Sequence, residues 1–181
     1  MQTEKLEPGN YYHIYNRGNN GGALFFENEN YLYFLRLYEK YMASIANTLA
    51  WCLMKNHFHF LIYFKEKEEI LKNELLIKEP SRQLSHLFNS YPQAVNRKYG
   101  RTGSLFERPF ERKKIDSEKY LKQLILYIHN NPVNHNVVEN VEDYKWSSYH
   151  VMVSSEPTTF DRQQVIDLFG DLENFKACHK N

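Results

Sequence analysis

Alternating apolar and polar positions divide the first third of the chain into short segments. Residues 11–16 are rich in strand-forming residues and run into a glycine-rich turn. Apolar residues then recur every three or four positions from about 30 to 46, which predicts a helix. Two apolar runs, 47–54 and 57–64, are joined by Lys55-Asn56 and predict a hairpin. The predicted order at the start of the chain is therefore strand, helix, strand, strand.

The middle of the chain continues with a charged segment, a helix and a strand. Residues 65–79 are densely charged, which predicts an exposed loop or loose helix outside the core. Helical periodicity returns at 81–99, where Pro92 is expected to kink the helix or split it in two. Residues 105–115 are predicted to form a strand, and Pro109 indicates an edge position or a bulge.

A third helix is predicted to start at Asp116 or Ser117 and to end near Asn131, because Pro132 follows. The resulting order is βαββαβ plus one helix. This predicts an α+β fold, a ferredoxin-like sandwich of the split βαβ type with an added C-terminal helix. Such a sheet is expected to leave one face free of helices. A short amphipathic segment is also predicted near 161–169.

Composition limits the possible functions without selecting one. The 181 residues fit one domain, and 15% are aromatic, which suggests that some rings lie on a binding surface. The formal net charge of +1 excludes a strongly basic whole-chain footprint, so a nucleic-acid site has to be a local patch. No apolar run approaches the ~18 residues of a membrane span. The N-terminus lacks the apolar segment of a signal peptide, and the two cysteines lie far apart, so a reducing cytoplasm is expected.

The pair His57 and His59, with Phe58 between them, is the sharpest candidate for chemistry. On a strand, residues i and i+2 point to the same face, so the two imidazoles are predicted to lie side by side. Neutral imidazole nitrogens are good ligands for a divalent cation. The flanking apolar strand favours a metal site. The alternative is a pair of unrelated surface histidines.

A second candidate lies on the third predicted helix. Tyr127 and Asn131 are four residues apart and therefore share a helix face, with Gln123 one turn earlier. The apolar stripe beside them places Tyr127 at the border between core and solvent. An amide oxygen from Asn131 could complete a metal site next to a tyrosine hydroxyl. The alternative is a packed border tyrosine and an asparagine that ends a helix.

Basic and aromatic residues alternate over 97–114. Cations for phosphates and rings for bases are what a single-stranded nucleic-acid groove requires, although a solvated edge would show the same composition. Arg17, in the glycine-rich turn, is a further candidate phosphate contact. The candidate DNA-binding residues are Arg17, Arg97, Lys98, Arg101, Arg108, Arg112 and Lys113.

Five short motifs, in this order and spacing, resemble the single-tyrosine HUH transposases, which include the insertion-sequence and REP-associated tyrosine transposases. The motifs are Tyr12-His13-Ile14-Tyr15-Asn16-Arg17-Gly18-Asn19, Met54-Lys55-Asn56-His57-Phe58-His59, Gly103-Ser104-Leu105-Phe106, Tyr127-Ile128-His129-Asn130-Asn131-Pro132-Val133 and Trp146-Ser147-Ser148-Tyr149. The resemblance covers about 11–150 of a single domain, 1–181, and leaves 151–181 as an extension. The Asn-Pro-Val and Trp-Ser-Ser-Tyr elements point to the REP-associated branch.

The resemblance implies that the chain cleaves and rejoins single-stranded or hairpin DNA through a covalent 5′-phosphotyrosine. Tyr127 would be the nucleophile. His57, His59 and Asn131 would hold Mg²⁺ or Mn²⁺. A homodimer is possible in this family, with the tyrosine helix packed on either subunit's histidine pair. Tyr120 and Tyr149 are the nearest competing tyrosines.

Two other functions stay open. The first is a non-catalytic single-strand binder derived from a transposase, which would need the basic patch and rings but not the histidines or Tyr127. The second is a metal-dependent phosphodiesterase in which water attacks the phosphate in place of Tyr127. Joint presence of His57, His59 and Tyr127 favours the transposase over the binder.

Overall fold

The computed structural model describes residues 4–73, 79–107 and 109–180. The four strands are β1 (Tyr11–Arg17), β2 (Ala46–Met54), β3 (His57–Phe64) and β4 (Glu111–Ile115). The α-helices of this part of the chain are α1 (Asn28–Met42), α2 (Lys67–Asn73), α3 (Pro80–Tyr99), α4 (Glu118–Asn134), α5 (Tyr149–Val153), α6 (Arg162–Leu168) and α7 (Leu172–Cys178).

The strands form one sheet in the order β2-β3-β1-β4, and all neighbours are antiparallel. Because β1 and β2 both run antiparallel to β3, they are parallel to each other with β3 inserted between them. The connection through α1 is therefore a split βαβ unit, and α3 connects β3 to β4 around β1 in the same way. The predicted α+β fold is confirmed, and the described residues add α2, α5, α6 and α7 to the three helices of the predicted order.

The first face of the sheet carries the larger hydrophobic core. Phe58 and Phe60 of β3 point into it, and they pack against Phe34 of α1 and, for Phe58, against Phe88 of α3. Alternation along β3 then directs His57 and His59 to the opposite face. The hydrophobic pattern of this hairpin thus determines which face receives the imidazoles.

The expectation of a sheet face free of helices is wrong. A second core covers that face, and α4, α6 and α7 contribute to it through Ile125, Ile128, Val165 and Phe175. These side chains pack on strand residues such as Leu61, which lies on the same face as His57 and His59. The apolar stripe of α4 requires burial, and this sheet face provides it, so only the end near the histidines stays open.

Two prolines lie inside helices. The helix α3 is continuous through Pro92, so it is not split in two, and α4 continues beyond Pro132 to Asn134, past the predicted end near Asn131. Proline removes one backbone hydrogen bond, but α3 keeps buried residues on both sides of Pro92, and in α4 Pro132 is itself buried. Packing therefore outweighs the local penalty. The amide of Val137 then donates to the Pro132 carbonyl at 2.9 Å beyond the helix end.

Other boundaries differ from the predicted ones in smaller ways. The edge strand β4 begins at Glu111, and Phe106 makes only an isolated bridge with Gly18. Its edge position agrees with the prediction from Pro109. Ile70 of α2 is 1% exposed and belongs to the first core, so the charged segment is not wholly outside it. The rest of that prediction, over 74–78, lies outside the described residues. Among the described helices, none is both long and apolar enough to cross a bilayer.

Candidate functional site

A cleft of about 570 Å³ opens where β1 and β3 meet the C-terminal half of α4. Its walls bring His57 and His59 of β3 together with Tyr127 of α4 and Arg17 of β1. The remaining lining residues are Tyr15, Asn16, Asn56, Glu107, Pro109, Glu111 and His135. Residues that are distant in sequence, and that include both candidate motifs, therefore share one cleft within a single chain.

His57 lies between two amide oxygens. Its Nδ1 is 2.8 Å from Oδ1 of Asn56, and its Nε2 is 2.7 Å from Oδ1 of Asn131. A neutral imidazole has only one N–H, so it donates to one oxygen and presents a lone pair to the other. With these amide orientations, one of the two contacts joins two acceptors, which is unfavourable unless a cation lies against them.

Asn131 is 1% exposed, and its Nδ2 has no hydrogen-bond partner. Ligands in adjacent positions of an octahedral Mg²⁺ site lie about 3 Å apart, which is close to the separation of His57 Nε2 and Asn131 Oδ1. Within the described part of the chain, no group of three or more His, Cys, Asp or Glu side chains could hold a metal. A set of two imidazoles and one amide oxygen is what the cleft offers a cation.

His59 contacts a third histidine that the sequence patterns did not single out. Its Nδ1 is 3.0 Å from Nε2 of His13, which lies on the neighbouring strand β1. His13 in turn stacks on Tyr15, with ring centroids 4.6 Å apart. Each of the two histidines is 7% exposed. The Nε2 of His59 makes no hydrogen bond to another described residue and is free to act as a ligand.

Burial keeps the histidines of the cleft neutral. It lowers the pKa of His13 to about 4, with a smaller contribution from the charge of Lys113. Burial is also the main cause of the strongly lowered pKa of His59, and the neighbouring histidines lower it further. The pKa of His57 is lowered by burial too, against the opposing effect of its contact with Asn131. At neutral pH these rings therefore hold lone pairs, as metal ligands must.

Tyr127 is 45% exposed, and its ring stands edge-on to His59 with centroids 5.5 Å apart. Its hydroxyl makes no hydrogen bond to another described residue. The competing tyrosines are situated differently. Tyr149 is 2% exposed and stacks on Phe175, while Tyr120 lies beside Lys113, whose ammonium group donates to its hydroxyl at 3.1 Å. Of these three tyrosines, only Tyr127 lines the cleft.

The candidate DNA-binding residues do not form one continuous patch. Register places Lys113 opposite His13 and Arg112 opposite Ile14, so the two basic side chains point to opposite sheet faces. The guanidinium group of Arg112 lies 4.1 Å from the ring centroid of Phe110. Arg17 lines the cleft and pairs with Glu107 at 2.7 Å. Arg17 and Lys113 therefore share the sheet face of the histidines.

Three further basic residues lie at the C-terminal end of α3. Arg97 is exposed, Lys98 pairs with Glu27, and the guanidinium group of Arg101 lies 5.5 Å from the ring centroid of Phe26. Phe26 is 41% exposed and lines a second cleft, of about 790 Å³, that shares His57 and His135 with the first. Arg108 lies outside the described residues.

The patterns missed His13, Asn56 and His135. His13 and Tyr15 alternate along β1, which indicates a shared face, but the pairing of β1 with β3 has no local signal. His135 follows the end of α4, and its ring centroid is 5.0 Å from that of His57. Asn131 and His135 are four residues apart, and this spacing could have predicted that His135 lies on the same side as Asn131, near His57.

No family model matches the chain. A curated protein of Haemophilus influenzae, named "Putative REP-associated tyrosine transposase", is 31% identical over 111 residues, which are 60% of this chain. The match spans 62% of that relative's length. A solved structure described as a REP-associated tyrosine transposase bound to a REP hairpin superposes with a TM-score of 0.68. It is 18% identical and covers 87% of each chain, so it shows a shared fold.

The proteins found by the two comparisons carry the name of the REP-associated branch, which the Asn-Pro-Val and Trp-Ser-Ser-Tyr elements also resemble. The curated relative and the solved structure carry the same family description. The chain is thus similar in sequence to a protein named as a putative REP-associated tyrosine transposase, and it shares the fold of a solved one.

Proposed function

We propose that this protein cleaves and rejoins single-stranded or hairpin DNA, with Tyr127 as nucleophile and with a divalent cation held by His57, His59 and Asn131. The observation that carries the proposal is the cleft in which the Tyr127 ring stands edge-on to His59, beside the contact of His57 with Asn131. All four side chains come from one chain.

Tyr127 has the exposure and the surroundings that attack on a phosphate requires. A tyrosine hydroxyl has an ordinary pKa near ~10 and is a weak nucleophile at neutral pH without activation. Its oxygen forms a bond to phosphorus as the bond from phosphorus to the 3′ oxygen breaks. The phenolic proton leaves, and the departing oxygen takes up a proton to become a 3′-hydroxyl. The product is a 5′-phosphotyrosine.

Rejoining is the same phosphoryl transfer in the opposite direction. A 3′-hydroxyl of a second strand attacks the phosphotyrosine, and the Tyr127 oxygen is released and regains its proton. The phosphotyrosine retains the bond energy of the cleaved linkage, so rejoining does not depend on a nucleotide cofactor.

The chain's ligand set fits Mg²⁺ or Mn²⁺. The facing lone pairs of His57 Nε2 and Asn131 Oδ1, and the available Nε2 of His59, supply three donors in the cleft. Polarisation of the scissile phosphate is the chemistry that such a cation supplies. Burial holds the two imidazoles neutral and in place, while the edge of the cleft beside Tyr127 stays accessible to a strand.

Three features support DNA as the partner. The solved structure with the shared fold contains a REP hairpin. Arg17 stands at the rim of the cleft, where its guanidinium could exchange Glu107 for a phosphate. Exposed Phe26 in the adjoining cleft offers a ring on which a base could stack. Net charge is close to zero, so affinity depends on these local contacts.

The direct test uses Tyr127→Phe with a labelled hairpin DNA and Mn²⁺, resolved by denaturing electrophoresis. The change removes one oxygen from a half-exposed ring, so folding and DNA affinity should stay close to those of the unchanged protein. Cleavage and the covalent adduct should both disappear. Tyr120→Phe is the matched control, because it removes a hydroxyl on the same helix outside the cleft.

The outcomes separate this proposal from its rivals. An adduct that mass spectrometry places on the peptide containing Tyr127 supports it. Cleavage by Tyr127→Phe without any adduct would instead indicate attack by water. Binding of the hairpin by the unchanged protein with neither cleavage nor adduct, in either Mg²⁺ or Mn²⁺, would leave a non-catalytic binder.

A further inference from the structure

His13 occupies a fixed place behind one of the candidate metal ligands. Register pairs His13 with Leu61 and Tyr15 with His59, so both histidines lie on the same face of adjacent strands. The two rings are 5.1 Å apart between centroids and inclined by 27°, with Nε2 of His13 3.0 Å from Nδ1 of His59. The Tyr15 ring stacks on His13, with centroids 4.6 Å apart, and lies 5.7 Å from that of His59, so the three rings form one cluster.

Two neutral imidazoles in this contact share one proton, and the direction of donation matters. If His13 donates from Nε2, then Nδ1 of His59 accepts and its Nε2 must carry the remaining proton. That Nε2 cannot bind a cation. If Nδ1 of His59 donates instead, its Nε2 carries a lone pair. Only the second arrangement leaves Nε2 of His59 with a lone pair for a cation, as is proposed for Nε2 of His57.

In both candidate ligands, His57 and His59, the Nδ1 atom of the ring contacts a neighbouring side chain. Nδ1 of His57 faces Oδ1 of Asn56, and Nδ1 of His59 faces Nε2 of His13. In each case an atom that is able to accept a hydrogen bond lies against Nδ1, which leaves Nε2 of the same ring for a ligand role. A hydrogen bond from the second ring nitrogen fixes the tautomer and orientation of a metal-bound histidine.

We infer that His13 is a positioning residue: its Nε2 accepts a hydrogen bond from Nδ1 of His59 and holds the His59 ring with Nε2 directed at the cation site. The inference rests on the proposed function, because it assigns His13 a role toward the same cation. His13 itself touches neither the cation nor the DNA in this arrangement.

The first test reads the tautomer directly, in the unchanged protein. Nitrogen-15 NMR of the histidine side chains, with and without Mg²⁺, distinguishes a protonated Nδ1 from a protonated Nε2. The Mg²⁺-loaded protein should show His59 protonated at Nδ1 and His13 with an unprotonated Nε2. A His59 ring protonated at Nε2 in the presence of bound Mg²⁺ would overturn the inference.

The second test compares two substitutions by Mn²⁺ titration. His13→Phe keeps a ring beside Tyr15 but has no acceptor, and Mn²⁺ affinity should fall about 10- to 100-fold. His13→Gln retains a side-chain oxygen that can accept from Nδ1 of His59, so affinity should stay within about threefold of the unchanged protein. Thermal unfolding of both variants identifies any loss that comes from misfolding.

The two proposals fail in different ways. If the unchanged protein binds Mn²⁺ and His13→Phe binds it equally well, His13 is not a positioning residue, and the proposed function is unaffected. If the unchanged protein binds no Mn²⁺, the metal-dependent function fails and the inference fails with it. Equal losses in His13→Phe and His13→Gln would indicate a packing role and would also contradict the inference.

Discussion

At the scale of single residues, the site depends on which atoms are left with lone pairs. His57 has amide oxygens on both sides, His59 has His13 behind it, and Asn131 has a buried Nδ2 without a partner. Burial disfavours protonation of these rings, so the lone pairs persist at neutral pH. Tyr127 differs from them because it is half-exposed, and no residue that the structure describes makes a hydrogen bond to its hydroxyl.

Replacing the ligands should separate cleavage from DNA binding. His57→Ala and His59→Ala should abolish cleavage of a labelled hairpin, because each removes one of two imidazole ligands. DNA affinity, measured by gel shift, should fall less than tenfold, since phosphate contacts dominate it. Asn131→Ala should impair the use of Mn²⁺ less than either histidine substitution does, because an amide oxygen is a weaker ligand than an imidazole.

The exposed His86 of α3 gives a matched histidine control, and His86→Ala should cleave normally. Persistence of cleavage in EDTA would contradict the role given to the cation, whatever the variants show.

At the scale of elements, α4 connects Tyr127, the proposed nucleophile, to the sheet. Its apolar stripe packs on the second sheet face, Tyr127 lines the cleft, and the buried Asn131 contacts His57. Ser117 begins the helix, as the sequence predicts, and accepts a hydrogen bond from the amide of Tyr120. The position of Tyr127 relative to His59 is therefore determined by how α4 packs.

Truncating the buried stripe should reveal this packing. Ile128 is fully buried and Leu126 only partly, on the same helix. Ile128→Ala should lower the free energy of unfolding by about 2–5 kcal/mol, as in other well-packed cores. Leu126→Ala should cost clearly less in the same urea titration. Equal, small losses would mean that α4 does not cover this face of the sheet.

At the scale of the whole molecule, five of the candidate DNA-binding residues lie in two separate regions. Arg17 and Lys113 lie on the sheet face of the histidines, whereas Arg97, Lys98 and Arg101 cluster at the end of α3 near Phe26. A strand that enters the cleft can therefore meet cations on one side and exposed rings on the other.

The salt dependence of DNA binding should report which cations contact phosphates. Each contact with a single strand contributes about 0.7 to the slope of log affinity against log salt concentration. Replacing Arg17 and Lys113 together by Gln should reduce the slope by about 1.4. Arg112→Gln is the control and should leave it unchanged, because its guanidinium packs on Phe110 on the opposite face. The reverse pattern would place the DNA on the α1–α3 side.

Buried neutral histidines should also make the whole molecule less stable in acid. The pKa values of His13, His59 and His129 are lowered, chiefly by burial, while unfolded histidine titrates near 6.5. Below that value the unfolded chain binds more protons than the folded one, so stability falls as the pH falls toward the folded pKa, about 4 for His13. For His13, the loss of stability between pH 7 and pH 5 should be about 2 kcal/mol.

Urea unfolding of the metal-free protein at the two pH values tests this expectation. His13→Gln should remove about one ring's share of the pH dependence. His86→Gln replaces a ring that water reaches in both states and should remove none. A free energy of unfolding that is equal at pH 7 and pH 5 would contradict the expectation.

The elements and the ligand spacing were readable from the sequence because they depend on near neighbours. Period-two alternation in the 57–64 run placed His57 and His59 on one face, and the three–four periodicity placed Tyr127 beside Asn131 on one helix border. The sequence did not show that α3 stays one helix through Pro92 or that α4 passes Pro132. The local penalty of proline is real, but buried contacts on both sides of Pro92, and the burial of Pro132 itself, outweigh it, and those contacts are not local.

Only the tertiary structure decided what meets across the fold. Pairing of β1 with β3 brought His13 to His59, and the docking of α4 covered the face that the order of elements alone would leave open. It also brought Tyr127 to the histidines of its own chain. Register and docking depend on how complementary surfaces from distant segments bury apolar area together. No short stretch of sequence encodes that, which is why the shared face of His57 and His59 was predictable and the contact of His13 with His59 was not.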